Sequence, residues 1–395
     1  MKKIYGTATF KYMAKSKDVL ICLNMEENVI EIQYGNEVYC SMDNLQACQE
    51  AFLGLSSCQT GSLTNIQLFT PTGILKKKLW DDFFITKLEP GTISIYDCAL
   101  SRTLNIPENN LGITKFTLHT KKSSLVDFTL EPFEEYAPKF ELYFSGFQQQ
   151  LGNHLVLDSK FGKIKFHSEN NGIIAIAENS FFESMEIIQC VLGVLQGGTV
   201  TLRSNLENNT LKINLANHHG GSLGPIYKNL KDIQPMAQAI FNFLSALIEK
   251  DWRVWRKALY YLLHGFSGNG LLEIRTISLF TFLEITQGKG TLSKNWMATE
   301  LDLSVDEAGV LLETRNKLIH NGTSIGEAVL ASKQCNKKTE FESANGFNNF
   351  IDPSNTSKTG ERFYFTLVKI LNRYLLKKSG YQGDWNDYSS YGCWD

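Results

Sequence analysis

The chain lacks the features that mark several broad protein classes. None of its eight cysteines forms a Cys-x2-Cys pair, so neither a zinc ribbon nor a dithiol redox site is indicated. Scattered cysteines read as reduced thiols of a cytosolic protein. No apolar run reaches the length of a membrane span, and the first residues carry no secretory signal pattern. Only 8 prolines occur in 395 residues, which argues against long disordered linkers. There is no Gly-rich phosphate loop, nucleophile elbow or kinase signature set. Charge of one sign is also missing. Residues 1–230 carry 20 Lys and Arg against 23 Asp and Glu, and 231–395 carry 19 against 18. Neither half has the basic excess of a protein that grips long nucleic acid through its phosphates. If RNA is bound, the contact is local, to a few unpaired nucleotides.

What is abundant is aromatic side chains, with 25 Phe and 15 Tyr, which suit filled cores and β-structure. Residues 1–130 read as a β-rich domain. Short apolar runs recur between turn signals: 18–23, 29–34, 65–69, 91–96, 113–118 and 124–130. A short helix is expected over 43–53. This number of strands predicts sheet-on-sheet packing or a curved β-domain. Residues 131–230 are mixed. Strands are expected over 140–144, 154–157, 163–167 and 173–177, a helix over 181–195, and a hairpin from 199–202 and 211–215. The pattern leaves open whether this region is a domain or continues the first sheet. Residues 231–395 read as helical: a long helix from Pro235 to Leu263, another over 271–286, a shorter one near 292–300, and a last one over 362–376. The fold class is therefore α+β, a β-rich N-terminal region followed by an all-α bundle.

Inside that bundle, Ser304-Val305-Asp306-Glu307 is a capping box that starts a helix at Val305. Leu311, Leu312, Leu318 and Ile319 are its expected buried positions. The helix carries Arg315-Asn316-Lys317-Leu318-Ile319-His320-Asn321 and meets a helix stop at Gly322. This sets a permanently charged guanidinium and a proton carrier that ordinarily titrates near neutrality five residues apart. Asn316 and His320, four apart, share a face, whereas Arg315 stands about 140° from His320 around the axis. A second copy of the helix across a two-fold axis would double the Arg and His groups in one cleft. The plain alternative is a helix-end pair, with His favoured by the macrodipole and Arg bound to Glu313. His218-His219 in a Gly-rich loop lacks metal-ligand spacing. Trp252, Trp255, Tyr260 and Tyr261 read as core positions. No metal or cofactor is expected.

The Arg-x4-His stretch, with a polar residue directly after the Arg, resembles the motif of the HEPN superfamily (higher eukaryotes and prokaryotes nucleotide-binding domains) in the form its ribonuclease members use. The resemblance covers roughly residues 231–380. It implies a metal-independent endoribonuclease, with 2′-OH attack leaving a 2′,3′-cyclic phosphate. Arg315 and His320 are then catalytic, assisted by Asn316, while Lys317 and Asn321 are candidate substrate-binding residues. Members of the superfamily often place an acidic residue of an upstream helix against the motif, which singles out Glu284. They also pair two motifs across a homodimer interface. The β-rich region ahead of such a bundle is similar to ApeA-type anti-phage and abortive-infection proteins. That implies a toxic nuclease acting on RNA such as tRNA, with the N-terminal region answering a phage-derived trigger. The alternative from another class is a non-catalytic helical module that binds a nucleotide or a protein.

Overall fold

The computed structural model describes residues 3–12, 15–24, 29–33, 59–70, 73–89, 92–97, 100–105, 115–118, 125–132, 140–145, 155–169, 172–177, 179–207, 210–214, 221–267, 270–288, 291–332 and 354–388. The helix expected over 43–53 and the His218-His219 pair lie outside them. The chain divides into two compact units. One comprises 1–145, 160–181 and 201–218, and the other 146–159, 182–200 and 219–395.

The first unit is β-structure. Its strands are β1 (Lys3–Tyr12), β2 (Lys15–Asn24), β3 (Val29–Gln33), β4 (Gln59–Thr70), β5 (Gly73–Glu89), β6 (Thr92–Asp97), β7 (Leu100–Asn105), β8 (Lys115–Leu118), β9 (Leu125–Pro132) and β10 (Phe140–Ser145). After β11 (Val156–Ser159), which belongs to the other unit, come β12 (Gly162–Glu169), β13 (Gly172–Ala177), β14 (Thr201–Glu207) and β15 (Thr210–Asn214). They form one continuous sheet in the order β12-β13-β10-β14-β15-β9-β5-β4-β1-β2-β3-β8, with β6 and β7 extending from β5. The strands of 140–214 thus continue the sheet begun at residue 3.

Period-two patterning explains the sheet's faces. In β9, Asp127, Thr129 and Glu131 are exposed while Phe128 and Leu130 are buried. In β13 almost every residue is buried. A bulge in β4 at Asn65, φ 51, shifts the register with β1 between Thr7 and Thr9. Gly6 sits beside it because a Cβ there would overlap the Gln67 carbonyl oxygen. Strands β1 and β5 have no counterpart among the expected runs, since Lys76-Lys77-Lys78 and Thr7-Ala8-Thr9 dilute their apolar signal.

The second unit is helical: α1 (Met185–Gln196), α2 (Leu230–Ser245), α3 (Glu249–Phe266), α4 (Leu272–Gln287), α5 (Lys294–Glu300), α6 (Val305–Asn321), α7 (Ile325–Leu330) and α8 (Thr356–Ser379). The single helix expected from Pro235 to Leu263 is in fact two. The Asn229–Asp232 capping box starts α2 well before Pro235. Ile248 then adopts extended backbone and begins a second helix, with Glu249 and Asp251 in its first turn, where the dipole favours acids. The polar stretch after Thr323 contains α7, opened by its own Ser324–Glu327 box.

The core between these helices is aromatic. Trp255 of α3 packs against Phe243 of α2, Phe282 of α4 and Tyr374 of α8, with ring centroids 5.0, 6.2 and 6.3 Å away. Tyr260 departs from the expected core, being 59% exposed. It stands about 140° around α3 from Trp255, on the far side of the helix. The chain after α8 folds back on the segment that enters the unit. Asn386 donates its N–H to the Ile226 carbonyl at 2.6 Å, and the buried Tyr388 donates its hydroxyl to the Gly224 carbonyl at 2.9 Å. Tyr388→Ala is therefore expected to cost about 3 kcal/mol, read as a lowered midpoint in urea unfolding.

Burial also sets an alkaline limit. It raises the Cys190 thiol from 9.0 and the Tyr374 phenol from 10.0, each to about 12, and pushes the Tyr364 phenol up as well. These groups stay protonated in the folded chain while the unfolded chain releases their protons. Stability is full below the unfolded values of 9.0 and 10.0 and is lost as pH rises towards 12. Thermal melts stepped from pH 8 upward should show the midpoint falling from about pH 9.

The strand β11 lies along α2 without a partner strand there. Gln234 accepts from the Val156 N–H and donates to the Val156 carbonyl, and Gln238 does the same for Asp158. Leu155 and Leu157 are fully buried.

Candidate functional site

The site is built on α4 and α6. Both bonds of the Ser304–Glu307 box are formed: the Ser304 N–H donates to Glu307 at 2.7 Å and the Glu307 N–H to Ser304 Oγ at 3.1 Å. From that start α6 continues to Asn321, where Gly322 closes it at φ 63. The helix does not fray before His320, so Arg315 and His320 keep their separation of about 140° around the axis. Leu311 and Leu318 are buried as expected. Leu312 is only half-buried, and Ile319, expected in the core, is 40% exposed beside His320.

Arg315 leans towards α4 and is held there. Its Nε donates to Glu284 Oε1 at 2.8 Å and its Nη2 donates to the same oxygen. Its Nη1 donates to Asn316 Oδ1 at 2.9 Å. The two charged side chains are 15% and 23% exposed, so this pair is screened less than a surface ion pair. Such charge-assisted bonds contribute about 1.5–3 kcal/mol each where one partner is ionised, before the cost of desolvation. Glu313, the alternative partner, instead accepts from the Ser332 hydroxyl at 2.7 Å.

A guanidinium has five N–H donors. Three are engaged here, leaving one on Nη1 and one on Nη2. Asn316 presents its carbonyl to Arg315, so its amide NH2 is turned to other acceptors. No family model, curated protein or solved structure matches the chain. The chemistry of this cluster is read from its own geometry.

Asn316 and His320 are both exposed and one turn apart on α6. His320 has no hydrogen-bond partner among the described residues, so both ring nitrogens are available to an incoming group. Lys317 is otherwise engaged, its ammonium donating to the Ala331 carbonyl at 2.9 Å and capping α7. Asn321, the last residue of α6, is exposed. The structure therefore brings together Glu284, Arg315 and Asn316, sets His320 one turn beyond Asn316, and directs Lys317 to α7. Among the described residues no cluster of His, Cys, Asp or Glu is arranged to hold a metal ion. Among the same residues no helix is long and apolar enough to cross a membrane.

Such an arrangement can orient an anion. Two guanidinium N–H groups and an amide NH2 offer donors at one place, and an imidazole one turn beyond Asn316 can accept or donate a proton.

Proposed function

We propose that the chain is a metal-independent endoribonuclease of the HEPN type. The observation that carries this reading is the anchoring of Arg315 by Glu284 and Asn316, which leaves two guanidinium N–H donors next to Asn316, itself one helical turn from an exposed, uncommitted His320. A solvent-facing arginine serving only as surface charge would have no need of a carboxylate from a second helix.

In this mechanism a ribose 2′-OH loses its proton to a histidine and attacks the adjacent phosphorus. The P–O5′ bond breaks, the departing 5′ oxygen takes a proton, and a 2′,3′-cyclic phosphate remains. Arg315 stabilises the charge that grows on the phosphoryl oxygens, where a permanently charged planar donor gains most in the transition state. Asn316 adds its amide donor to a phosphate oxygen. His320 is base or acid. One motif supplies one histidine, whereas the reaction uses two proton carriers, so a homodimer through the helical unit completes the site. The exposed Ile319 beside His320 suits such an interface. The β-unit would position the RNA, such as tRNA, or receive a phage-derived trigger, as the likeness to ApeA-type defence proteins implies, with the enzyme acting in the cytoplasm.

The test is incubation of purified protein with total RNA in excess EDTA, beside Arg315→Ala, with analysis of the product ends. Cleavage by the wild type alone, leaving cyclic phosphates, supports the reading. Cleavage that Arg315→Ala retains, or that EDTA stops, contradicts it.

A further inference from the structure

The outer face of α3 has a feature unusual in a chain of balanced charge. Lys250, Arg253, Val254, Lys257, Tyr260 and His264 are all exposed. On a helical wheel they fall within an arc of about 120° centred on Lys257, and they run about 21 Å along the helix. No carboxylate lies within that arc. Glu249 stands at its border, where it pairs with Arg253 at 2.8 Å, and Asp251 lies on the far side. Lys250 and Lys257 have no carboxylate partner among the described residues. The aromatic end is ordered. Tyr260 is 59% exposed, and its ring meets Tyr261 edge-on at 5.6 Å and His264 at 4.5 Å. A large aromatic ring held open to solvent by its neighbours, rather than folded onto the core, is what a stacking platform requires.

We propose that this stripe of α3 is a docking surface for single-stranded RNA, with phosphates on Lys250, Arg253 and Lys257 and a base stacked on Tyr260. Cations in a row with an aromatic face match the two things every unpaired nucleotide offers, a phosphate and a π-surface. An acidic peptide would satisfy the cations but would leave the Tyr260 ring without a stacking partner. The identity of the nucleic acid as RNA rests on the nuclease reading above. The stripe answers a question that reading raises, namely how a chain with a formal net charge of −2 holds its substrate. The cations are concentrated on one helix face instead of being spread over the surface.

The inference is tested with full-length His320→Ala protein and a 5′-fluorescein single-stranded RNA of about 16 nucleotides, followed by anisotropy over a salt series. Lys257→Ala should weaken binding and flatten the slope of log K against log salt by about 0.7. Tyr260→Ala should weaken binding about tenfold, while Tyr260→Phe keeps the parent's affinity. Circular dichroism should show all three folded, since both side chains are exposed. RNA binding unchanged in the Ala variants overturns the inference, as does a parent that binds no RNA, or one from which poly-glutamate displaces nothing but itself binds in a Lys257-dependent way. Wild-type protein assayed for cleavage of the same RNA separates the two readings. Cleavage with binding insensitive to the stripe rejects the stripe alone, and stripe-dependent binding without cleavage rejects the nuclease alone.

Discussion

His320→Ala should remove RNA cleavage and leave the fold intact. The ring is exposed, sits in the last turn of α6 and bonds to none of the described residues. Its removal takes away neither packing nor a hydrogen bond. At most it gives up a favourable interaction with the helix C-terminus, about 0.3–1 kcal/mol when the ring is charged. The chemical step, in contrast, loses a positioned proton carrier, which is worth about 10²–10⁴ in rate. The expected result is cleavage reduced by at least about a hundredfold with at most a small shift of the urea midpoint. Full activity in the variant would remove His320 from the mechanism. A large fall in stability would show that the side chain has a structural task instead.

Glu284→Ala should act in the opposite proportion, damaging both stability and activity. Arg315 gives this carboxylate two of its donors, and both side chains are mostly shielded from water. Removing the acid leaves a half-buried guanidinium without its counter-charge, at a cost of about 1–3 kcal/mol. It also frees the side chain to turn, so cleavage should fall by about tenfold or more through misplacement of a group that still exists. Arg315→Ala alone, and the two changes together, complete a cycle. If the carboxylate works through the guanidinium, the double variant should cleave no more slowly than Arg315→Ala, with strong non-additivity between the two sites. Additive losses would assign Glu284 a separate role. Arg315→Lys should not rescue, because an ammonium cannot contact Glu284 and Asn316 through a planar fork while keeping donors for a phosphate.

The helical half of the chain was legible from local chemistry. The Ser304–Glu307 box and Gly322 delimit α6 in the sequence, and both appear at those places in the structure, because capping is decided within a few residues. The break between α2 and α3 was not legible. Ala246, Leu247 and Ile248 contain no Gly or Pro, so nothing local announces the extended backbone at Ile248. The partnership of Glu284 with Arg315 could be named only through the family resemblance, since residues 31 apart acquire proximity from packing and not from spacing. Ile319 and Tyr260 show the other limit. A helical pattern says which residues share a face, but which face is covered depends on helices elsewhere in the chain. For the sheet, alternation found most strands, but their order joins segments more than eighty residues apart, as β9 with β15 and β3 with β8, and no local signal encodes that.

The hold of α2 on the Val156–Ser159 segment has a meaning beyond local packing. Four residues along a helix rise about 6 Å, and two residues along a strand about 6.7 Å. Gln234 and Gln238 therefore stand at the repeat of a β-ladder, and each primary amide carries the same donor and acceptor as a peptide group. A helix here impersonates a neighbouring strand. The N–H and C=O groups of Val156 and Asp158 that point this way would otherwise be a template on which another chain could add. Two glutamines close that template without a further strand, and the exposed Asp158, whose backbone Gln238 holds, adds a charge that an incoming strand would have to accommodate.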